Sequence, residues 1–206
     1  MKIDKQMRVV IDKRKNQKEW QDDLETQEYW DEEMEILTVD LDTTIDYIKN
    51  ISAEDAVWVA EVWDDLLEHF HSKELLNACE ECIKKYPDSD IYGDVQDLRY
   101  LYLKYDLDKE LEELQKSNYN EELKEKYLKN LREVLFLNSG LTIAFMEFAT
   151  KDELYFCSMF WCEIAKYFKE EIVVKNMESS INKYPEISEI LKARYKEAKE
   201  CLENDK

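Results

Sequence analysis

Two glycines, two prolines and two histidines are all that the 206 residues contain. So few turn residues exclude a sheet protein rich in hairpins, whose reversals call for Gly, Pro and Asn. The shortage of imidazole leaves His69 and His71 as the only ring bases for nucleophilic catalysis, and both fall at the end of one predicted helix. Long apolar runs are missing too. The longest, Leu141 to Ala149, is interrupted by Glu147, and the first fifteen residues offer only Val9, Val10 and Ile11 among charges. Neither suits export or membrane insertion, so a cytoplasmic location is expected. Five cysteines (Cys79, Cys82, Cys157, Cys162 and Cys201) are an odd number. In a reducing compartment they read as small core residues rather than a disulfide framework.

Acid is what the chain has in excess: 49 Asp and Glu against 29 Lys and Arg, a net charge of −20. Nucleic acid and anionic membranes are bound mainly through clustered Lys and Arg, so both are poor partners for this composition. A basic protein fits it better. At 44% hydrophobic and 12% aromatic the sequence has enough apolar surface to fold in spite of its charge. Glu, Lys and Leu recur at helical spacing, and an all-α fold follows.

The chain resembles itself at an offset of 98 residues. Ile45, Trp63, Phe70, Glu80 and Ile83 fall on Ile143, Trp161, Phe168, Glu178 and Ile181, and Lys85-Tyr86-Pro87 falls on Lys183-Tyr184-Pro185. Both prolines of the protein coincide, as do two helix-start signals, Ser52 to Asp55 and Thr150 to Glu153. The expectation is an N-terminal segment over 1–36 with one acidic amphipathic helix, a first copy over 37–106 and a second over 107–206, packed as one globular unit. The architecture is then either a multi-helix bundle or a short helical-repeat array.

Within the first copy, Ala56, Val59, Ala60, Trp63, Leu66, Leu67 and Phe70 form one stripe and predict a helix from about Glu54 to Phe70. Ser72 caps a second, with Leu75, Leu76, Cys79, Cys82 and Ile83 inward, which Pro87 ends. Asp90 starts a third. Trp20, Leu24, Trp30, Met34 and Leu37 mark a narrow stripe over about 15–37, and Asn138-Ser139-Gly140 is the strongest turn signal between the copies.

The charge is localised. From Glu19 to Glu68 there are 18 acids and one base, Lys49, whereas residues 1–18 are net positive. Acids on a solvated helix face are ordinarily relieved by Lys or Arg at i+4, and that relief is missing here. At the offset of 98, Glu61, Asp64 and Glu68 fall on Met159, Cys162 and Lys166, so the fold does not itself require acids there. Trp58 lies off the apolar stripe, beside Glu54, Glu61 and Asp65. An aromatic ringed by charge is a common binding anchor, and packing under a neighbouring helix is its plainer role. The candidate partner-binding set is therefore Trp58, Glu61, Asp64, Asp65 and Glu68, extended by Asp31, Glu32 and Glu33 and, if the first helix lies close, by Asp22 and Asp23. Trp20 or Trp30 are further anchors.

Other chemistry finds little support. Cys79-Glu80-Glu81-Cys82 behind His69 and His71 has zinc-like spacing, but the positions 98 residues on are Met177 and Ser180. The di-iron type needs Glu-x-x-His on two helices, and there is no second copy with a His; nor is a Gly-rich phosphate loop present. No enzyme activity, metal or cofactor is expected.

The stretch Trp58-Val59-Ala60-Glu61-Val62-Trp63-Asp64-Asp65-Leu66, with Ser72-Lys73-Glu74-Leu75 and Tyr86-Pro87, resembles the small acidic all-helical immunity proteins encoded beside bacterial polymorphic toxins. The resemblance implies a cytoplasmic antidote that binds the toxic C-terminal domain of a contact-dependent or secreted toxin, often a nuclease, and blocks its active site. A helical-repeat scaffold or adaptor and a DNA-mimic inhibitor of a DNA-binding protein are the alternatives that the composition leaves open.

Overall fold

The computed structural model describes residues 2–16, 23–89, 91 and 95–203. Among these residues every regular element is helical and there is no strand. The expectations placed on Trp20, Asp22 and Asp90 lie outside the described residues. The chain divides into two compact units, Met1–Tyr102 and Leu103–Lys206.

Unit 1 begins with α1 (Lys2–Lys15) and α2 (Asp23–Leu37), two elements where one acidic helix was expected. In α1, Ile3, Met7, Val10 and Ile11 are buried at steps of three and four, although the helix reads as mostly charged. α3 (Leu41–Asn50) starts at Asp40, whose carboxylate accepts from Thr43 N, and it buries Thr44, Ile45, Tyr47 and Ile48. α4 (Ala53–Val59) starts at Ser52, which accepts from Asp55 N. The single helix predicted to run on to Phe70 is broken by a 3₁₀ turn over Ala60–Val62, after which α5 (Trp63–Phe70) resumes. Val59, Ala60, Val62 and Trp63 are all buried through the tighter turn. His71, at φ 45°, ends α5 in the left-handed region.

α6 (Lys73–Lys85) has the expected Ser72 cap, accepting from Leu75 N, and ends before Pro87. Its Leu75, Leu76, Ala78, Cys79 and Cys82 face the core. Glu80 is buried beside them, and Arg99 reaches it at 2.5 and 2.9 Å through Nε and Nη2. That bidentate pair, helped by Lys84, holds the Glu80 carboxyl below its ordinary range against the opposing effect of burial. α7 (Val95–Lys116) leaves unit 1 after Tyr102, whose ring stacks on His71 at 4.6 Å.

Unit 2 takes up α7 at Leu103 and continues with α8 (Glu121–Leu135), α9 (Ser139–Phe148), α10 (Lys151–Ser158), α11 (Trp161–Phe168), α12 (Glu171–Ser180) and α13 (Ser188–Glu203). Asn120 and Asn138 cap α8 and α9, and Thr150 with Glu153 forms a complete capping box on α10. Trp161, Tyr127, Phe145, Ile164 and Met177 are among its fully buried side chains.

Several hydrogen bonds occur in both units at positions 98 apart. Thr44 Oγ1 donates to Leu37 O at 2.5 Å, as Thr142 Oγ1 does to Leu135 O at 2.6 Å. The Tyr86 hydroxyl donates to Ile51 O at 2.8 Å and the Tyr184 hydroxyl to Ala149 O at 2.9 Å. Lys85 and Lys183 reach the carbonyls of Lys49 and Glu147. Lys169 ends α11 at φ 56° as His71 ends α5.

The cysteine expectation needs correction at two positions. Cys79, Cys82 and Cys157 are buried and free, but Cys162 and Cys201 form a disulfide with their Cα atoms 5.8 Å apart. α13 packs along α11, which brings its last turn against the first turn of α11. A separation of 39 residues gives no sequence signal of this contact.

Candidate functional site

The last turn of α1 places Lys13, Arg14 and Lys15 in succession against the acids of unit 1. Lys13 Nζ lies 2.7 Å from Glu32, and Lys15 Nζ lies 2.8 Å from Glu54 and 3.1 Å from Asp55. Arg14 goes deepest: its side chain is 4% exposed, with Nη2 2.5 Å from Glu61 Oε2 and Nη1 3.5 Å from Glu33 Oε1. Trp30 Nε1 donates to the same Glu61 oxygen at 2.8 Å, and the Arg14 guanidinium lies 5.1 Å from the centre of the Trp58 ring. The counter-charges missing at i+4 are thus supplied across space, by the net-positive N-terminus.

Glu33 is fully buried, and among the described residues neither of its carboxylate oxygens has a hydrogen bond. Burial is the main reason that its pKa rises to about 7, with Glu61 adding to the shift and Arg14 opposing it. The Arg14 contact at 3.5 Å is too long to offset the loss of water.

The predicted binding residues therefore fall into two groups. Glu33, Glu61 and Trp58 belong to the internal cluster around Arg14, with Glu32 paired at its edge to Lys13. Trp58 is half-buried against the core, the plainer of its two roles. Asp31, Asp64, Asp65 and Glu68 are exposed. Asp31 on α2 accepts from Gln27, and Asp64 caps the N–H of Asp65 on α5. Burial raises the Asp65 pKa, and Asp64, Glu68 and Asp31 raise it further by repulsion. The fold thus brings an acid of α2 to the acids of α5. Among the described residues, no Lys or Arg is within ion-pair distance of these four.

Sequence reasoning missed Arg14, Lys13 and Lys15 as parts of this site. Their only signal was the sign change between residues 1–18 and 19–68. The zinc-like pair does not assemble: Cys79 and Cys82 are core residues whose thiols burial holds well above the ordinary range. Among the described residues, no three His, Cys, Asp or Glu side chains converge on a point that could hold a metal ion.

No helix among the described residues is long and apolar enough to cross a membrane. Comparison with protein-family models, with curated proteins and with solved structures gives no match, so the chemistry of the site itself carries the functional reading.

Proposed function

We propose that this chain is an antidote of the immunity-protein type, a non-enzymatic cytoplasmic inhibitor that binds a basic toxin domain, possible targets including nucleases, through Asp31, Asp64, Asp65 and Glu68. One observation carries the reading: among the described residues these four carboxylates have no cation, and repulsion by Asp64, Glu68 and Asp31 adds to burial in raising the pKa of Asp65, while the neighbouring acids Glu32, Glu33, Glu54, Asp55 and Glu61 all have cations from α1. Nearby cations relieve one half of the acidic surface and leave the other half repelling itself. An open anionic patch steers a basic partner and speeds its association at low salt. The resemblance around Trp58 to Leu66 supports the same class.

In this reading the chain is also built from two copies of one helical unit. The hydrogen bonds, caps and left-handed helix ends that occur 98 residues apart support it. The second copy has Cys162, Glu163 and Lys166 where the first has Asp64, Asp65 and Glu68, so the acidic patch is a property of one copy.

The test is capture of the tagged protein's partner from its host's lysate at about 50 mM and about 500 mM salt, beside the double variant Asp64→Lys, Asp65→Lys. The expected result is one basic protein, lost at high salt and lost by the variant, whose C-terminal domain is toxic alone and harmless when co-expressed with the wild type. Equal capture by wild type and variant overturns the placement. Recovery of many DNA-binding proteins, displaced by duplex DNA, establishes the DNA-mimic alternative instead.

A further inference from the structure

Unit 2 contains a cavity of about 340 Å³ lined by Tyr119, Lys124, Asp152, Tyr155, Phe156 and Ile187. Three of the six residues are aromatic. The Tyr119 and Tyr155 ring centres lie 6.3 and 5.3 Å from that of Phe156. Asp152 is the acid of this wall, and two neutral groups fix it: the Tyr119 hydroxyl donates to Oδ2 at 2.7 Å and Gln115 Nε2 donates to the same atom at 2.8 Å. Among the described residues, Oδ1 accepts no hydrogen bond and no Lys or Arg pairs with Asp152. Lys124, the cation of the lining, pairs instead with Glu121 at 3.3 Å, and Lys104 pairs with Glu153 and Asp108. The hydrogen bond to Asp152 raises the Tyr119 pKa, so the phenol stays a donor.

The backbone at this wall is unusual. Asn118 and Tyr119 follow one another in the left-handed region, at φ 55° and 61°. Glycine adopts that conformation freely, whereas it strains a residue with a side chain. Tyr119 is 41% exposed, so burial in the core does not account for an aromatic residue in this place. Its hydroxyl holds Asp152 and its ring forms part of the cavity wall.

We propose that this cavity binds an organic monocation, an alkylammonium or guanidinium head on a short apolar chain. The head sits between Asp152 and the aromatic faces, and the chain lies along Ile187. Aromatic faces attract cations through their ring quadrupole, and one unpaired carboxylate sets the ligand charge at one. Unit 1 shows the same chemistry internally: the Arg14 guanidinium lies over Trp58 and pairs with Glu61, and Phe156 stands 98 residues after Trp58. The proposal is independent of the acidic patch, which lies in the other unit.

The test is calorimetric titration of the full chain with choline and with agmatine, with 3,3-dimethyl-1-butanol as the uncharged isostere of choline. Saturable binding of at least one cation is expected, with the isostere weaker by about tenfold or more. Asp152→Asn should lose a similar factor. Tyr119→Gly relieves the backbone and removes the ring, so it should lose binding while its thermal unfolding midpoint stays the same or rises, which separates the lost site from a lost fold. Two further ligands distinguish the source of the cation. If N-acetyl-arginine amide or N-acetyl-lysine amide binds as well as agmatine, the site takes a side chain of a protein; if only the free cations bind, it takes a small molecule. No saturable binding by any of these cations, equal binding of the isostere, or unchanged binding in Asp152→Asn overturns the proposal.

Discussion

Arg14 of α1 and Glu61 of the 3₁₀ turn after α4 meet at 2.5 Å across 47 residues of sequence, and Glu33 of α2 lies on the other side of the same guanidinium. One buried cation thus ties three elements of unit 1 together. Replacing it by a hydrophobic residue leaves Glu33 in the core with no positive partner. Arg14→Met should destabilise the protein in urea unfolding, and by more at pH 8 than at pH 6, because Glu33 takes up a proton where the pH allows it. Adding Glu33→Met should recover most of that loss, since a well-packed apolar pair commonly equals a buried ion pair. A single variant within about 1 kcal/mol of wild type shows that the pair contributes little.

Glu33 also sets a pH dependence. Its folded pKa of about 7 lies above the ordinary value of 4.5, so the folded state holds a proton that the unfolded state has released between those limits. Its contribution to stability is fully present below about pH 4.5, falls as the pH rises through 7, and changes no further above that. The full loss is on the order of 3 kcal/mol. Buried carboxylates with lowered pKa values, Glu80 and Glu153, act in the opposite direction and at lower pH. The clean measurement is therefore the stability difference between wild type and Glu33→Gln in urea at several pH values from 4.5 to 7.5. The wild type should lose stability relative to the variant across that range, and a flat difference rules the shift out.

Much of this structure can be read locally. Ser52, Ser72 and Thr150 each cap the helix that their spacing announces, and the apolar stripes of α5 and α6 face the core as their periodicity requires. Capping and amphipathicity act over four to eight residues, so a window of sequence contains them. The rest depends on contacts between distant residues. Among the described side chains of α1 only Ile3, Met7, Val10, Ile11 and Arg14 are buried, too sparse a pattern to stand out from its charges. The 3₁₀ break at Ala60–Val62 follows no Gly or Pro. The acidic run looked unrelieved because its cations come from a helix 19 to 47 residues away, and the same fact divided the candidate site into an internal half and an open half.

The Cys162–Cys201 bond closes a loop of 39 residues between α11 and α13. In the chain-entropy account such a closure contributes about 3–4 kcal/mol by restricting the unfolded chain. Dithiothreitol should lower the unfolding midpoint of the wild type and leave that of Cys162→Ser, Cys201→Ser unchanged. Under denaturing conditions the oxidised protein should show only the three thiols of Cys79, Cys82 and Cys157. Five reactive thiols in unreduced protein rule the bond out. The bond also bears on location, because a reducing cytoplasm opens accessible disulfides. Thiol counting on protein trapped with acid from its own cells therefore tells whether α13 is bonded where the protein works.

The open half of the acidic face should reveal itself in stability before any partner is known. Among the described residues Asp65 is held by no cation, and burial, Asp64, Glu68 and Asp31 all oppose its ionisation. Removing its charge relieves that repulsion and breaks no ion pair. Asp65→Asn should therefore unfold at the same or a higher temperature than wild type at low ionic strength. The difference should shrink as salt is added, because exposed charges about one Debye length apart, about 10 Å at 0.1 M, are screened. Thermal unfolding followed by circular dichroism at low and high salt measures both. Residues kept at the expense of stability are characteristic of functional surfaces rather than of scaffolding. A lower midpoint for Asp65→Asn at low salt means that Asp65 supports the fold, and removes it from the binding face.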